Sequence, residues 1–259
     1  MAQLRHERNV FLDRVYEQEV KRNGAISSEE EEEDKLSEDD LPQLPLVKPS
    51  VTQSASEVVP TSGNKKRKTV RPISEQVFKV TPVSTDPATG EPIFPISLGL
   101  HTFHSLGQVV SDRPAYHTKR YIYPVGFHSS RSYFSTKDPE AMTIYHSRIL
   151  DGGPVPQFTV TAEDDPDNPL SGATTTAVWS TIMRQAATLR GKEPAGSASG
   201  PDFFGLGNAT ILQLIEALPE AEKCKQYEKK RYEVSQTAIK HTLNTLPNNN
   251  NVPTSDAIE

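Results

Sequence analysis

His101-Thr102-Phe103-His104 is the stretch of this sequence whose residue types most invite chemistry, because neutral imidazoles are common ligands for zinc-class ions. In an extended segment, however, two histidines at that spacing point to opposite faces. No third ligand is placed beside them, and the single cysteine, Cys224, excludes both a thiolate zinc cluster and an intramolecular disulfide. The reading is polar surface or core histidines, with no metal and no cofactor. Gly205-Leu206-Gly207 ahead of a helical pattern has the outline of a phosphate loop. It lacks the third glycine and the following lysine, and a tight turn before a capped helix explains it. Asp164, Asp165 and Asp167 lack the glycine and distal glutamate of a calcium loop, and Pro166 and Pro169 interrupt them, so a solvated turn is expected. Cys224 sits between Lys223 and Lys225 with no arranged base; the lysines are expected to lower its pKa only slightly. No serine lies in a nucleophile-elbow pattern. The sequence therefore offers no catalytic constellation and no small-molecule substrate site.

The elements that position these residues are unevenly spread. Of 259 residues only 34% are apolar and the mean hydropathy is −0.57, with apolar residues concentrated after about residue 90. One domain of roughly 140 residues fits, large enough for its own core. Residues 1–22 read as a short charged helix with Leu4, Phe11 and Val15 on one side, coiled-coil-like. Residues 23–88 hold an acidic run from Glu29 to Asp34 and a basic block, with no sustained periodicity, and are expected to be disordered, as are residues 236–259. The N-terminus carries no signal-peptide apolar core and no run is long enough to span a bilayer, so an intracellular protein without membrane contact is expected.

Within the domain, 93–100 and 102–110 read as short extended or turn-rich pieces. Tyr121 to Phe127 alternates like a strand, with Pro124 demanding an edge or a bulge. Ser132 to Ser135, Met142 to Leu150 and Phe158 to Ala162 are further strand candidates; in the last, Phe158, Val160 and Ala162 share a face. The period then turns helical over 174–189, through Val178, Trp179, Ile182, Met183 and Ala186. Ser171 or a following threonine caps that helix. A second helix is expected over 209–218, with Asn208 as N-cap and Pro219 as terminator, and Lys230 to Val234 reads as a last strand. Strands followed by helices predict an α+β fold: an antiparallel sheet with helices packed on one face.

Three stretches carry a resemblance. The first contains Gly107, Asp112, Arg113 and Pro114 and runs into Tyr121, Tyr123, Pro124 and Gly126. The second is Asp151-Gly152-Gly153 with Phe158, ahead of the helix that carries Trp179. The third is Phe203-Phe204-Gly205 with Leu218-Pro219. Together they resemble the F/Y-rich FYRN and FYRC motifs, with FYRN over about residues 102–150 and FYRC over 151–235 of a module spanning 92–235. The resemblance extends to the transforming growth factor beta regulator 1 group, and the family occurs also in trithorax-type histone methyltransferases and some jumonji demethylases. It implies one α+β module and a nuclear, chromatin-linked, non-catalytic role in protein–protein contact that regulates transcription, cell growth or the cell cycle. Nuclear proteins, chromatin-modifying complexes among them, are the partners it implies.

Two surfaces follow from residue type. Lys65, Lys66, Arg67 and Lys68 form a dense cationic cluster suited to nuclear import adaptors, and equally to any polyanion. Exposed aromatics such as Tyr116 and Tyr121 are candidates for a partner surface, with the other rings building the β core. The alternative function is direct DNA contact through Lys65 to Arg71 and Lys223 to Arg231, which would fall steeply with salt.

Overall fold

The structure, a computed structural model, describes residues 76–193 and 199–235. The expected N-terminal helix, the Lys65 to Lys68 block and the C-terminal tail lie outside the described residues.

Six strands form an antiparallel meander in which each neighbour in sequence is a neighbour in space. They are β2 (Ile96–Leu98), β3 (His101–Ser105), β4 (His128–Phe134), β5 (Met142–Asp151), β6 (Pro156–Ala162) and β7 (Asp165–Gly172). Alternation sets the two faces. Along β5, Tyr145, Ser147 and Ile149 are buried while Ile144, Arg148 and Leu150 are exposed. The inward face is covered by helices α1 (Thr175–Leu189) and α2 (Gly200–Phe204), giving the expected α+β architecture. Helix α3 (Ala209–Glu216) follows and sits beside β1 (Val77–Val80).

The caps are those the sequence carries. The Thr174 side chain accepts from the Ala177 N–H, and the Asn208 side chain accepts from the N–H groups of Thr210 and Ile211. Helix α1 buries the apolar stripe Val178, Trp179, Ile182, Met183 and Ala186. Trp179 is fully buried, its ring edge-on to Tyr133 with centroids 5.9 Å apart.

Three expectations are corrected. Tyr121 to Phe127 is not a strand: it makes single bridges to two different partners, Ile122 with His117 and Val125 with Gln108. Pro124 offers no N–H to a ladder, and the chain turns back instead, with the Phe127 N–H donating to the Pro124 carbonyl. The stretch from Asp164 to Pro169, read as a solvated, proline-interrupted turn, instead runs into the strand β7 from Asp165 onward. It is an edge strand whose register with β6 shifts between Val160 and Ala162, which accommodates Pro166 and Pro169. Strand β1 lies in the stretch expected to be disordered. It pairs in parallel with β8 (Arg231–Val234), Val77 opposite Arg231 and Val80 opposite Val234. Hydrogen bonds from the Thr81 N–H to Thr210 Oγ1 and from that hydroxyl to the Thr81 carbonyl dock the end of β1 on α3.

Candidate functional site

Most of the motif aromatics build the core. Tyr123 meets Phe158 edge-on at 5.1 Å, Phe158 meets Phe204 at 5.7 Å, and Trp179 lies 4.9 Å from Phe203. Side chains from the sheet tie this cluster to the backbone of α2: His101 Nε2 donates to the Phe203 carbonyl and the Ser129 hydroxyl donates to the Phe204 carbonyl. The His101 donor role fixes its neutral tautomer. Burial, with Arg131 nearby, holds its pKa down at about 3. The Arg131 guanidinium lies over the Phe203 ring at 4.2 Å.

Two glycines mark close approaches. Gly205, the C-cap of α2, has φ +83°, and a Cβ there would lie 2.6 Å from the buried Phe103 ring. Gly107 has φ +74°, and its Cβ would lie 2.5 Å from the Phe127 N and the Val125 carbonyl oxygen. Gly126 sits directly against it, its own Cβ direction 3.7 Å from the Gly107 Cα. Both contacts exclude any side chain.

A second cluster centres on Arg113. Its guanidinium grips Asp151 through two nitrogens and lies 4.2 Å over the Tyr116 ring, and the Tyr116 hydroxyl reaches Asp151 Oδ1 at 2.8 Å. The Arg113 hydrogen bonds, helped by the Gly153 N–H, hold the Asp151 carboxyl well below the usual carboxylate range. Pro114 opens the 3₁₀ turn Pro114–Tyr116 that presents this pair, and Asp112 stays exposed. Tyr116, expected at a partner surface, is completely buried, while Tyr121 is half-buried against Tyr123.

A third cluster holds the C-terminal segment. Glu216 accepts hydrogen bonds from the hydroxyls of Tyr227 and Tyr232 and from the Lys230 N–H. Lys230 Nζ donates to the Arg120 carbonyl and the Tyr227 hydroxyl, and burial brings its pKa down to about 8. Leu218 packs on the core just after α3, and Pro219 follows at the surface. Cys224 is buried and its thiol pKa is raised by that burial, not lowered by its lysine neighbours.

Two exposed features remain. A cleft of ≈ 620 Å³ opens between α1 and the β6–β7 edge, lined by the buried Tyr145, Val160 and Ile182 and the exposed Lys137, Arg184 and Leu189. On the outer sheet face His104, His128 and His146 converge from three adjacent strands, with donor atoms all within 4.8 Å of one another. His128 Nε2 lies 3.0 Å from His146 Nδ1, and His146 Nε2 lies 3.0 Å from Glu163 Oε1. Burial, then Arg148, lowers the His128 pKa to about 4. The sequence singled out His104 but not its companions, whose meeting depends on strand register.

Against known families, residues 93–152 match the F/Y-rich N-terminus, FYRN, and residues 155–233 match the F/Y-rich C-terminus, FYRC. The chain belongs to the FYRN–FYRC family. It is 38% identical over 171 residues to mouse "Transforming growth factor beta regulator 1", covering 66% of this chain and 42% of that protein. The human protein of that name is 39% identical over 171 residues, 66% of this chain and 41% of its own length. The rice "Histone-lysine N-methyltransferase TRX1" is 32% identical over 142 residues, 51% of this chain and 14% of that protein. The chain thus spans about two fifths of the length of the growth factor regulators and a smaller share of the methyltransferase.

In family terms, the FYRN half supplies Phe103, Phe127, Tyr133 and Tyr145 and the FYRC half supplies Phe158, Trp179, Phe203 and Phe204 to one continuous core. The FYRN–FYRC boundary is the turn that Arg113 holds through Asp151 and the Gly153 carbonyl.

Proposed function

We propose that this FYRN–FYRC protein is a non-catalytic nuclear adaptor, chromatin-associated, that regulates transcription or cell growth by protein contact. The observation that carries the reading is the portability of the module. What this chain shares with the rice methyltransferase is 14% of that protein, against 42% of the mouse growth factor regulator, so the module recurs in proteins of very different length, a histone methyltransferase among them. A unit reused in that way contributes contacts rather than a particular reaction. The cleft beside α1 suits a partner segment, with an apolar floor and a rim of Arg184 and the Lys137–Asp165 ion pair. The Lys65 to Lys68 block is the import signal in this reading. Direct DNA contact through Lys223 to Arg231 is the second reading: Lys225, Lys229 and Arg231 are exposed, whereas Lys223 pairs with Glu220 and Lys230 is committed to Arg120 and Tyr227.

Affinity purification of the tagged chain from nuclear extract, at low and high salt with nuclease present, tests this. A defined set of proteins retained at high salt, and lost with the surface variant Arg184→Glu plus Leu189→Asp, is the expected result. Recovery lost with nuclease or modest salt would transfer the function to nucleic-acid contact.

A further inference from the structure

The outer sheet face carries side chains that the core does not use. Strand β3 brings His104, β4 brings His128 and β5 brings His146, and the register places His146 opposite Ser130 and His128 opposite Arg148. The irregularity between Phe103 and Ser105 leaves His104 at the bend of β3. Its ring stacks on that of His128 with centroids 4.4 Å apart. All three are half-buried, so they are both held and reachable from solvent.

We propose that His104, His128 and His146 form a three-nitrogen binding site for a divalent transition ion of the zinc class. Nitrogens bound to one tetrahedral zinc sit roughly 3.4 Å apart, given a Zn–N distance of about 2.0–2.1 Å. The three donors lie within 4.8 Å, and two of them are already 3.0 Å apart, so side-chain rotation alone closes the set. The supporting groups match as well. Glu163 Oε1 takes the Nε2–H of His146, which turns the Nδ1 lone pair toward His128; a carboxylate behind a ligating histidine fixes its tautomer in just this way. The Ser130 hydroxyl, 2.8 Å from His104 Nε2, orients the third ring. An all-imidazole donor set selects zinc, copper or nickel over calcium or magnesium, which require oxygen ligands. Three protein ligands leave a fourth position for water or a partner's donor atom. Arg148, on the same face, is the charge that opposes the ion.

The test is calorimetric titration of the chelator-stripped full chain with Zn²⁺, followed by Co²⁺ as a spectroscopic probe of nitrogen coordination. One saturable zinc per chain is expected. His128→Gln abolishes it, and Glu163→Gln, at an exposed position, weakens it roughly 10- to 100-fold while leaving the fold intact. Arg148→Gln tightens it. Zinc uptake that is absent, or that is unchanged in both His128→Gln and Glu163→Gln, overturns the proposal. Failure of this test leaves the adaptor reading untouched, since partner capture is read separately.

Discussion

The Arg113 guanidinium and the Asp151 carboxylate face each other in a two-point grip, Nη1 to Oδ1 at 2.6 Å and Nη2 to Oδ2 at 3.0 Å. Arg113 precedes a 3₁₀ turn and Asp151 ends β5, so the pair locks the loop after β3 to the turn between the family's two halves. Lysine cannot reproduce that fork. Arg113→Lys and Asp151→Asn should each lower the thermal midpoint, and the double variant should fall by less than the sum. Additive losses in that cycle would mean the two residues act independently. Because the folded Asp151 carboxyl is depressed, its contribution is present above the usual carboxylate pKa and disappears as pH falls below it.

His101 supplies a separate acid dependence. It is buried neutral with its pKa near 3, against an ordinary 6.5, so below that ordinary value the unfolded chain takes up a proton that the fold refuses. Stability from this group is complete above about pH 6.5 and is lost toward pH 3, at up to about 1.4 kcal/mol per unit. Urea unfolding at about pH 7.5 and about pH 5 should therefore show a shift of about 2 kcal/mol, reduced in His101→Gln.

The core of shared aromatics gives a size prediction. Phe204 is fully buried between Phe158 and the α2 turn, and Phe204→Ala should cost about 3–5 kcal/mol. Gly205→Ala should also destabilise, since its Cβ meets the Phe103 ring at 2.6 Å from a backbone with positive φ. The lone tryptophan, Trp179, reports both by fluorescence.

At high pH the tyrosines decide. Burial raises the pKa of Tyr145 to about 12, and burial with the Glu216 contact raises those of Tyr227 and Tyr232. Acids whose folded pKa is raised contribute fully below the ordinary value near 10, and that stability is lost as pH rises beyond it. Ultraviolet titration should show a fraction of tyrosines ionising only as Trp179 fluorescence signals unfolding. Smooth titration of every tyrosine in the folded state would contradict the placement.

The elements readable from sequence were those written in local periodicity: β5, β6, α1 and α3, with Thr174 and Asn208 at their caps. Those it hid depend on position in the sheet. β7 contains prolines that a central strand would reject and an edge tolerates. Tyr121 to Phe127 alternates in residue type, yet its backbone bonds go to Tyr116, Gln108 and Ile149 in turn and Ile122, Tyr123 and Pro124 are buried one after another. The partners of Arg113 and His104 were equally invisible: Asp151 meets Arg113 only where a loop folds back on the end of β5, and His128 and His146 reach His104 through strand register, not through spacing along the chain.

The parallel pairing of β1 with β8 has a topological consequence. The chain enters the domain at Val77 and leaves at Val234, on two strands lying side by side. Entry and exit are therefore about 11 Å apart, three residue steps of about 3.3 Å along the strands and about 4.8 Å across them. A unit with its two ends clasped together can be spliced into a surface loop of a much larger polypeptide without prising the host apart.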